Sequence, residues 1–460
     1  VELWAHQNDA VVWMLARIAG ILHHGMGSGK TRTTLELLRR MGVPALCLVC
    51  CPKAVMAAWA KQVRLWMPEY RVLVLDHATK ERKLRALAAA LADKTPLIVV
   101  CNYESAWRMP LIEKTSWGVL VWDEIHRLKS PSGRASRWAG KMATKNPEAK
   151  KLGLTGTLIP HSILDVWAEY RAIESPVCQT FGTSHTLHRA NYAILNPHVP
   201  GMVVGYKNLP VAQAKIAATT HRVRSEDVLD LPPIQFIDEQ VDLTPPEASL
   251  YTEVEKEFCA VCEQGTVTPT NALVQLLRLQ QICGGFVRFD NEGVARKIAE
   301  HPAKAARLAD MLEDLPVTEP VVIFCRFRSD IESATAAAKA TGRTTSELSG
   351  SANQLAQWQA GDTSTLVTQI QSGGIGIDLT RASYAVFFSL GYSLAEYEQA
   401  VARLHRPGQA KRTLIYHLIA THGGRSTVDG RVYECLRERK EVVRGIIDGY
   451  RTSGATVSAR

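Results

Sequence analysis

Gly25-Met26-Gly27-Ser28-Gly29-Lys30-Thr31 decides how this chain is read. The apolar run Ala19-Gly20-Ile21-Leu22 precedes it, and Arg32 to Leu38 follows with helical character. Strand, glycine-rich loop and a helix opening on Lys-Thr are the setting of a phosphate-binding P-loop. The glycines let backbone N–H groups turn inward around a phosphate, and the helix N-terminus adds its positive end. In such a loop Gly25 to Gly29 wrap the phosphates, Lys30 reaches the outer ones, and Thr31 takes magnesium. One position is irregular: His24 stands where the strict pattern has its first glycine.

Upstream, Leu3, His6, Gln7, Ala10, Val11 and Met14 recur at helical spacing. The amide of Gln7 carries both donor and acceptor and suits an adenine edge, although a glutamine on a helix surface is commonplace. Downstream, apolar strands and helices alternate. Strands are expected at 45–50, 72–75, 96–101 and 117–122, with helices at 54–66 and 80–92. That alternation predicts an α/β fold with parallel sheets covered on both faces by helices.

The strand Gly118–Trp122 runs into Asp123-Glu124-Ile125-His126. An acid at the carboxyl end of such a strand sits where open α/β sheets bind ligands. Asp123 would hold magnesium, and Glu124 would polarise an attacking water. Two acids there also suit the start of a helix, and only the upstream P-loop favours the catalytic reading. Leu152-Gly153-Leu154-Thr155-Gly156-Thr157 is a further apolar strand ending in hydroxyls. Thr155 and Thr157 would bond to the acidic motif, or would simply cap a helix expected at 162–173.

The chain has 460 residues, room for two or three domains. Its 46% apolar and 22% charged content is that of a globular protein. A formal charge of +9 leans toward an anionic partner such as nucleic acid. No apolar run is long enough to span a bilayer and no signal peptide is evident, so a cytoplasmic location with no membrane partner is expected. The ten cysteines are scattered, mostly inside apolar runs, as free thiols in a reducing compartment would be. Cys259 and Cys262 form a lone CxxC with no second pair to complete a zinc site. The first residue is Val1, which leaves open a fragment or a literally translated alternative start.

From Glu174 to about Ala299 the alternation stops and prolines accumulate. Helices are expected at 247–258 and 271–283. Leu231-Pro232-Pro233 reads as an extended linker. These features divide the chain into a first domain, 1–232, with a helical insertion at about 174–230, and a second, 233–450, with a helical insertion at about 245–300. Alternation resumes with strands at 321–325, 363–368, 384–389 and 414–419. Residues 451–460 are expected to be a disordered tail. The second domain has no P-loop. It carries the Gly-rich Gln371-Ser372-Gly373-Gly374 and the run Gln399 to Gln409, which places Arg403 and Arg406 three residues apart on one helix face. Such guanidinium groups suit an arginine-finger role or an ordinary surface pair.

Taken in order, these stretches resemble the Swi/Snf family of superfamily-two helicase-like ATPases. The resemblance rests on Asp123-Glu124-Ile125-His126-Arg127-Leu128-Lys129-Ser130-Pro131, on Leu154-Thr155-Gly156-Thr157, on Leu277-Arg278-Leu279-Gln280-Gln281-Ile282-Cys283, and on Gln399 through His405-Arg406-Pro407-Gly408-Gln409. It covers residues 3 to 450. It implies two tandem RecA-like P-loop NTPase lobes, with ATP and Mg2+ as cofactors and with DNA, in double-stranded form, lying across both. Gln7, Lys30, Thr31, Asp123 and Glu124 would serve the nucleotide from the first lobe, Arg403 and Arg406 from the second. His126, Thr155, Thr157 and Gln399 would couple hydrolysis to movement. Pro52, Lys53, Ser372, Gly373 and Gly374 would touch nucleic-acid phosphates, which positions without reading sequence.

The implied activity is an ATP-driven DNA translocase. Strand-separating DNA or RNA helicases and an ATP-gated clamp on nucleic acid or protein are the alternatives. Departures from the family pattern are Leu158-Ile159-Pro160-His161 for Pro-Ile-Gln-Asn, Ile125 for Ala, Asp378 for Asn and His24 for an acid. No reader module is visible, which suits a bacterial or phage-encoded motor. A monomer is expected, and further protein partners stay open.

Overall fold

In the computed structural model the described residues are 2–448, apart from 43, 45, 160–161, 198–200, 229, 264–268, 289–294 and 374–376. The chain divides into two units, Val1–Leu229 with Glu441–Arg460, and Asp230–Lys440.

The first unit is built on one sheet. Its strands are β1 (Ala19–His24), β2 (Leu46–Cys51), β3 (Arg71–Val74), β4 (Leu97–Asn102), β5 (Val119–Asp123) and β6 (Lys150–Thr155). A two-stranded antiparallel hairpin, β7 (Ala193–Leu195) and β8 (Val203–Tyr206), stands apart from it. The last strand, β9 (Thr220–Val223), returns to the sheet, whose order is β3-β4-β2-β5-β6-β1-β9. Every pairing in this sheet is parallel. Parallel strands need both faces covered, which is why β2 reads as an unbroken apolar run, Leu-Cys-Leu-Val-Cys-Cys. Val49, Val100, Val121 and Leu154 pack in one core with Ala10, Val11 and Met14 of the helix Ala5–Leu15. That helix is capped from a distance: Lys150 Nζ donates to the carbonyls of Met14 and Arg17 at 2.9 and 2.6 Å.

The second unit holds β10 (Ile234–Asp242), the short antiparallel pair β11 (Phe286–Arg288) and β12 (Ala295–Lys297), then β13 (Val321–Cys325), β14 (Thr345–Leu348), β15 (Thr365–Gln369), β16 (Tyr384–Phe387), β17 (Thr413–His422) and β18 (Arg425–Ser426). The main order is β10-β17-β16-β13-β15-β14, all parallel, with β18 antiparallel on β17. Ile323, Val367, Val386 and Leu418 form its core with Leu308 and Ile331 from flanking helices. The fold class is therefore the expected α/β one, with a parallel sheet in each unit.

Two stretches differ from expectation. The region 174–230 is not simply helical: beside the helices His185–Tyr192 and Leu209–Thr219 it supplies β7, β8 and the sheet strand β9. The region 245–300 carries helices Pro245–Glu263 and Pro269–Cys283 but also β11 and β12. Leu231-Pro232-Pro233 is coil that leads directly into the nine-residue β10, a strand at the sheet edge. The expected tail, 451–460, lies outside the described residues.

Candidate active site

Parallel strands deliver all their carboxyl ends to one edge of a sheet. In the first unit that edge receives the P-loop from β1, Pro52-Lys53 from β2, Asp123-Glu124 from β5 and Thr155 from β6. Register makes this definite: β6 sets Thr155 beside His23 and Leu154 beside Asp123.

The P-loop follows β1 directly. Gly27 and Gly29 both have φ of +80°, the left-handed region glycine occupies without strain. Lys30 is the first residue of the helix Lys30–Arg40, and Thr31 is the second. Lys30 Nζ donates to the carbonyls of His24 at 2.9 Å and Gly25 at 3.4 Å. Ser28 Oγ donates back to Gly25 O at 2.7 Å. Met26 lies against Gly156, where an added Cβ would meet its Cγ at 3.5 Å.

Gln7 is bound into the loop. Its Oε1 accepts from Trp4 N at 3.1 Å, capping the helix Ala5–Leu15, and its Nε2 donates to Ser28 O at 3.1 Å. His6 Nε2 donates to the same carbonyl at 2.9 Å. Gln7 is buried.

Asp123 is held by two aromatic side chains that sequence reasoning missed. Trp59 Nε1 donates to Asp123 Oδ2 at 2.7 Å, and Tyr103 Oη donates to its backbone carbonyl at 2.8 Å. Burial, and then the charge of Glu124, push the Asp123 carboxyl up to about 6, against the opposing pull of Trp59 and Lys30. Glu124 has φ of +53°, a left-handed conformation rare for glutamate, which turns its side chain away from the line of β5. Its Oε2 lies 3.4 Å from His126 Nδ1.

His126 leads onward. Its Nδ1 is 3.1 Å from Thr155 Oγ1. Thr155 Oγ1 gives its own proton to Thr157 O at 2.9 Å, so the ring nitrogen is the donor. Thr157 N also donates to Thr155 Oγ1, at 3.0 Å. Hydrogen bonds thus link His126, Thr155 and Thr157, and Glu124 Oε2 lies near His126 without a hydrogen bond of its own. A second link was not expected: His23 Nε2 donates to Gly156 O at 3.1 Å. Beside it, His24 Nε2 and His221 Nδ1 are 2.9 Å apart. Burial, then the charge of Arg222, lowers His23 to about 3, and burial, then His221, lowers His24 to about 2. Both imidazoles are therefore neutral, and one of them, His24, departs from the acid expected at its position.

Pro52 and Lys53 form a turn at the end of β2, with Lys53 exposed. In the second unit, Ser372 and Gly373 belong to a short helical turn, Ile370–Gly373, at the end of β15, while Gly374 lies outside the described residues. Gln399 and Arg403 lie on the helix Leu394–Leu404. Arg406 does not share a helix face with Arg403. The helix ends at Leu404, and Arg406 sits in the bend beyond it, because Pro407 disfavours helical backbone at the residue before it. Its Nη1 donates to Ile377 O at 3.4 Å.

The bend is braced on each side. His405 Nε2 donates to Pro232 O at 2.7 Å, and buried Gln409 donates to Ala382 O at 2.8 Å. The helix Leu394–Leu404 is anchored by a relay through buried His417 that no sequence motif marks: Tyr397 Oη donates to His417 Nε2 at 3.0 Å, and His417 Nδ1 to Asp238 Oδ1 at 2.9 Å. That bond from His417 holds the Asp238 carboxyl below its ordinary value.

Two family models match the chain: the SNF2-related domain over residues 6–285 and the helicase conserved C-terminal domain over 303–408. The chain belongs to the SNF2-related family. Among curated relatives it is 22% identical to the ISWI chromatin-remodeling complex ATPase ISW1 of Saccharomyces cerevisiae, over 98% of this chain and 41% of that protein. It is 24% identical to an ATP-dependent helicase of Mycoplasma pneumoniae, over 95% of this chain and 41% of that one. The chain thus spans about two fifths of the length of these relatives. Among solved structures, the Sulfolobus solfataricus SWI2/SNF2 ATPase core in complex with dsDNA aligns at 20% identity and a TM-score of 0.43, covering 98% of this chain and 93% of that one. Among the described residues no helix is long and apolar enough to cross a membrane, and no group of three His, Cys, Asp or Glu could hold a metal ion. The side chains of Cys259 and Cys262 lie outside the described set.

Proposed function

We propose that this chain is an ATP-hydrolysing motor that tracks along double-stranded DNA. The observation that supports this most is the meeting of Lys30, Asp123 and Glu124 at one sheet edge, beside a loop whose glycines hold left-handed backbone. The residues fit a nucleotide with its metal. At Gly29 the backbone is left-handed and a Cβ would lie 2.1 Å from Gln7 Nε2, so any side chain there has to displace the glutamine from the loop. Thr31 and Asp123 together offer a hydroxyl and a carboxylate, the hard oxygen donors that magnesium takes. Magnesium held there would neutralise charge on the phosphates.

This chain's own residues do the rest. The loop N–H groups and Lys30 bind and orient the phosphates. Glu124 orients a water and takes its proton. Trp59 and Tyr103 keep Asp123 in place. Arg403 and Arg406 are assigned the finger role, neutralising charge that develops on the transferred phosphate. Pro52-Lys53 and the Ser372-Gly373-Gly374 segment grip backbone phosphates. The bonds from His126, beside Glu124, to Thr157 carry the state of the acidic motif to the end of β6.

The test is steady-state ATPase rate without nucleic acid, with single-stranded DNA, with duplex DNA and with RNA. Strong stimulation by duplex DNA is expected, followed by displacement of a triplex-forming strand. Stimulation only by single strands or RNA would replace translocation with strand separation, and no stimulation by any of them would refute the nucleic-acid motor.

A further inference from the structure

The helix Leu394–Leu404 carries Gln399 and Arg403, yet little apolar surface holds it. Its buried residues are Leu394, Ala395, Ala400 and Leu404, and each alanine adds a single methyl to the contact. The polar chain from Tyr397 through His417 to Asp238 supplies what packing does not. An ionised Asp238 can only accept, so His417 Nδ1 donates to it and Nε2 is left to accept from Tyr397 Oη. One tautomer of the imidazole serves both bonds.

His417 is locked in this arrangement. It is fully buried, and four rings close around it. Phe387, Tyr397 and Tyr433 have centroids 5.5, 5.7 and 4.8 Å away, and Phe236 stacks nearly parallel at 6.0 Å. These rings come from four elements: Phe236 from β10, Phe387 from the end of β16, Tyr397 from the arginine helix, and Tyr433 from the helix Val428–Asp448. Tyr397 itself rests on Phe387 at 5.0 Å.

Successive residues of a helix turn by about 100°. Gln399, two residues on, therefore leaves the helix about 200° from Tyr397, and Arg403, six on, about 120° from it. The side that is tied down and the sides that present functional groups are thus different. The two ends are held by other means: Ser393 Oγ accepts from Glu396 N at 3.3 Å, and Leu379 N donates to Arg403 O at 3.1 Å. Between them Tyr397 ties the helix to β17.

We propose that Tyr397 is a positioning residue for ATP hydrolysis. Through His417 and Asp238 it sets the rotation of the helix, and so the place where Arg403 meets the charge developing on the transferred phosphate. The inference rests on the finger role assigned above to Arg403 and Arg406, and Tyr397 acts on the nucleotide only through them.

The test is single-turnover ATP hydrolysis by the full chain with duplex DNA, with ATP affinity and thermal unfolding measured alongside. Tyr397→Phe removes the hydroxyl and keeps the ring. His417→Phe removes both bonds and keeps a ring inside the aromatic cage. Each lowers the hydrolysis rate about ten- to a hundredfold, as a misplacement of about 1 Å does, with ATP affinity unchanged. Asp238→Asn still accepts from Nδ1 and keeps the wild-type rate, whereas Asp238→Ala loses it. Ile323→Val, a buried change on the other face of the sheet, lowers the melting temperature and not the rate. A double-mutant cycle decides between positioning and general weakening. In a chain carrying Arg403→Ala and Arg406→Ala, Tyr397→Phe costs no further activity, because the groups it positions are gone. A Tyr397→Phe chain with the wild-type rate, or a loss that adds in full to that of the arginines, would overturn the proposal and leave the finger role standing. Arginine variants with undiminished turnover would refute the finger role, and the proposal with it.

Discussion

Substituting Gly29 by alanine probes the loop at its tightest point. Gly29 has φ of +80°, where a Cβ costs about 1–2 kcal/mol. That Cβ would also lie 2.1 Å from Gln7 Nε2, closer than any real contact, so the glutamine must leave. Its departure breaks the bonds to Ser28 O and from Trp4 N, worth about 0.5–1.5 kcal/mol each. The sum is about 2–5 kcal/mol, borne by the P-loop and the N-terminal helix. If about 1.4 kcal/mol of this falls on nucleotide binding, affinity drops tenfold. The assay is ATP affinity by titration calorimetry with chemical denaturation in parallel, on Gly29→Ala, Gln7→Ala and the double variant. Gln7→Ala already lacks the two bonds, so adding Gly29→Ala to it costs only the backbone strain. A coupling of about 1–3 kcal/mol follows. Strict additivity would refute the idea that Gln7 occupies the space beside Gly29.

Glu124→Gln is expected to bind ATP normally and to lose turnover by about 10²–10⁴-fold, read by single-turnover hydrolysis. Arg406→Ala is expected to fold normally and to lose about 10³-fold or more in turnover, measured with saturating ATP. Acid stability reports His23 and His24. Their folded values of about 3 and 2 lie below the ordinary 6.5, so the unfolded chain takes up protons first. Stability is full above about pH 6.5 and falls as pH drops toward 3, with a slope of up to about 2.7 kcal/mol per pH unit from the pair. In urea denaturation at stepped pH, His24→Gln should halve that slope.

Much of this architecture was open to reading because its chemistry lies in continuous runs. Val321–Cys325 is wholly apolar and needs both faces of a sheet covered, so its strand was plain. β9, Thr-His-Arg-Val, and β14, Thr-Ser-Glu-Leu, were not. They are sheet-edge strands, half solvated, and four polar-rich residues carry no period that separates them from loop. β10 is hidden by the prolines before it and by its three acids, Asp238, Glu239 and Asp242, which break up its apolar residues.

At the candidate site, Lys30, Thr31, Asp123 and Glu124 announce themselves by motif, whereas their supports do not. Trp59 lies 64 residues from the carboxylate it holds, and His417 lies 179 from Asp238. Contacts of that kind exist only once strands are aligned. Arg406 shows the limit of spacing arguments: three residues imply a shared face only while the helix lasts, and Pro407 ends it first.

β9 has a mechanical meaning. It is the final strand of the first unit, and the boundary at Leu229 comes six residues after Val223. It is zipped in parallel along β1, from Ile21 opposite Thr220 to His24 opposite Val223, and Val223 O accepts from Gly25 N at 2.8 Å. The polypeptide that leaves toward the second unit is thus fastened to the strand and first residue of the P-loop. A pull on the chain beyond Val223 is therefore felt first at Gly25, through the bond between them.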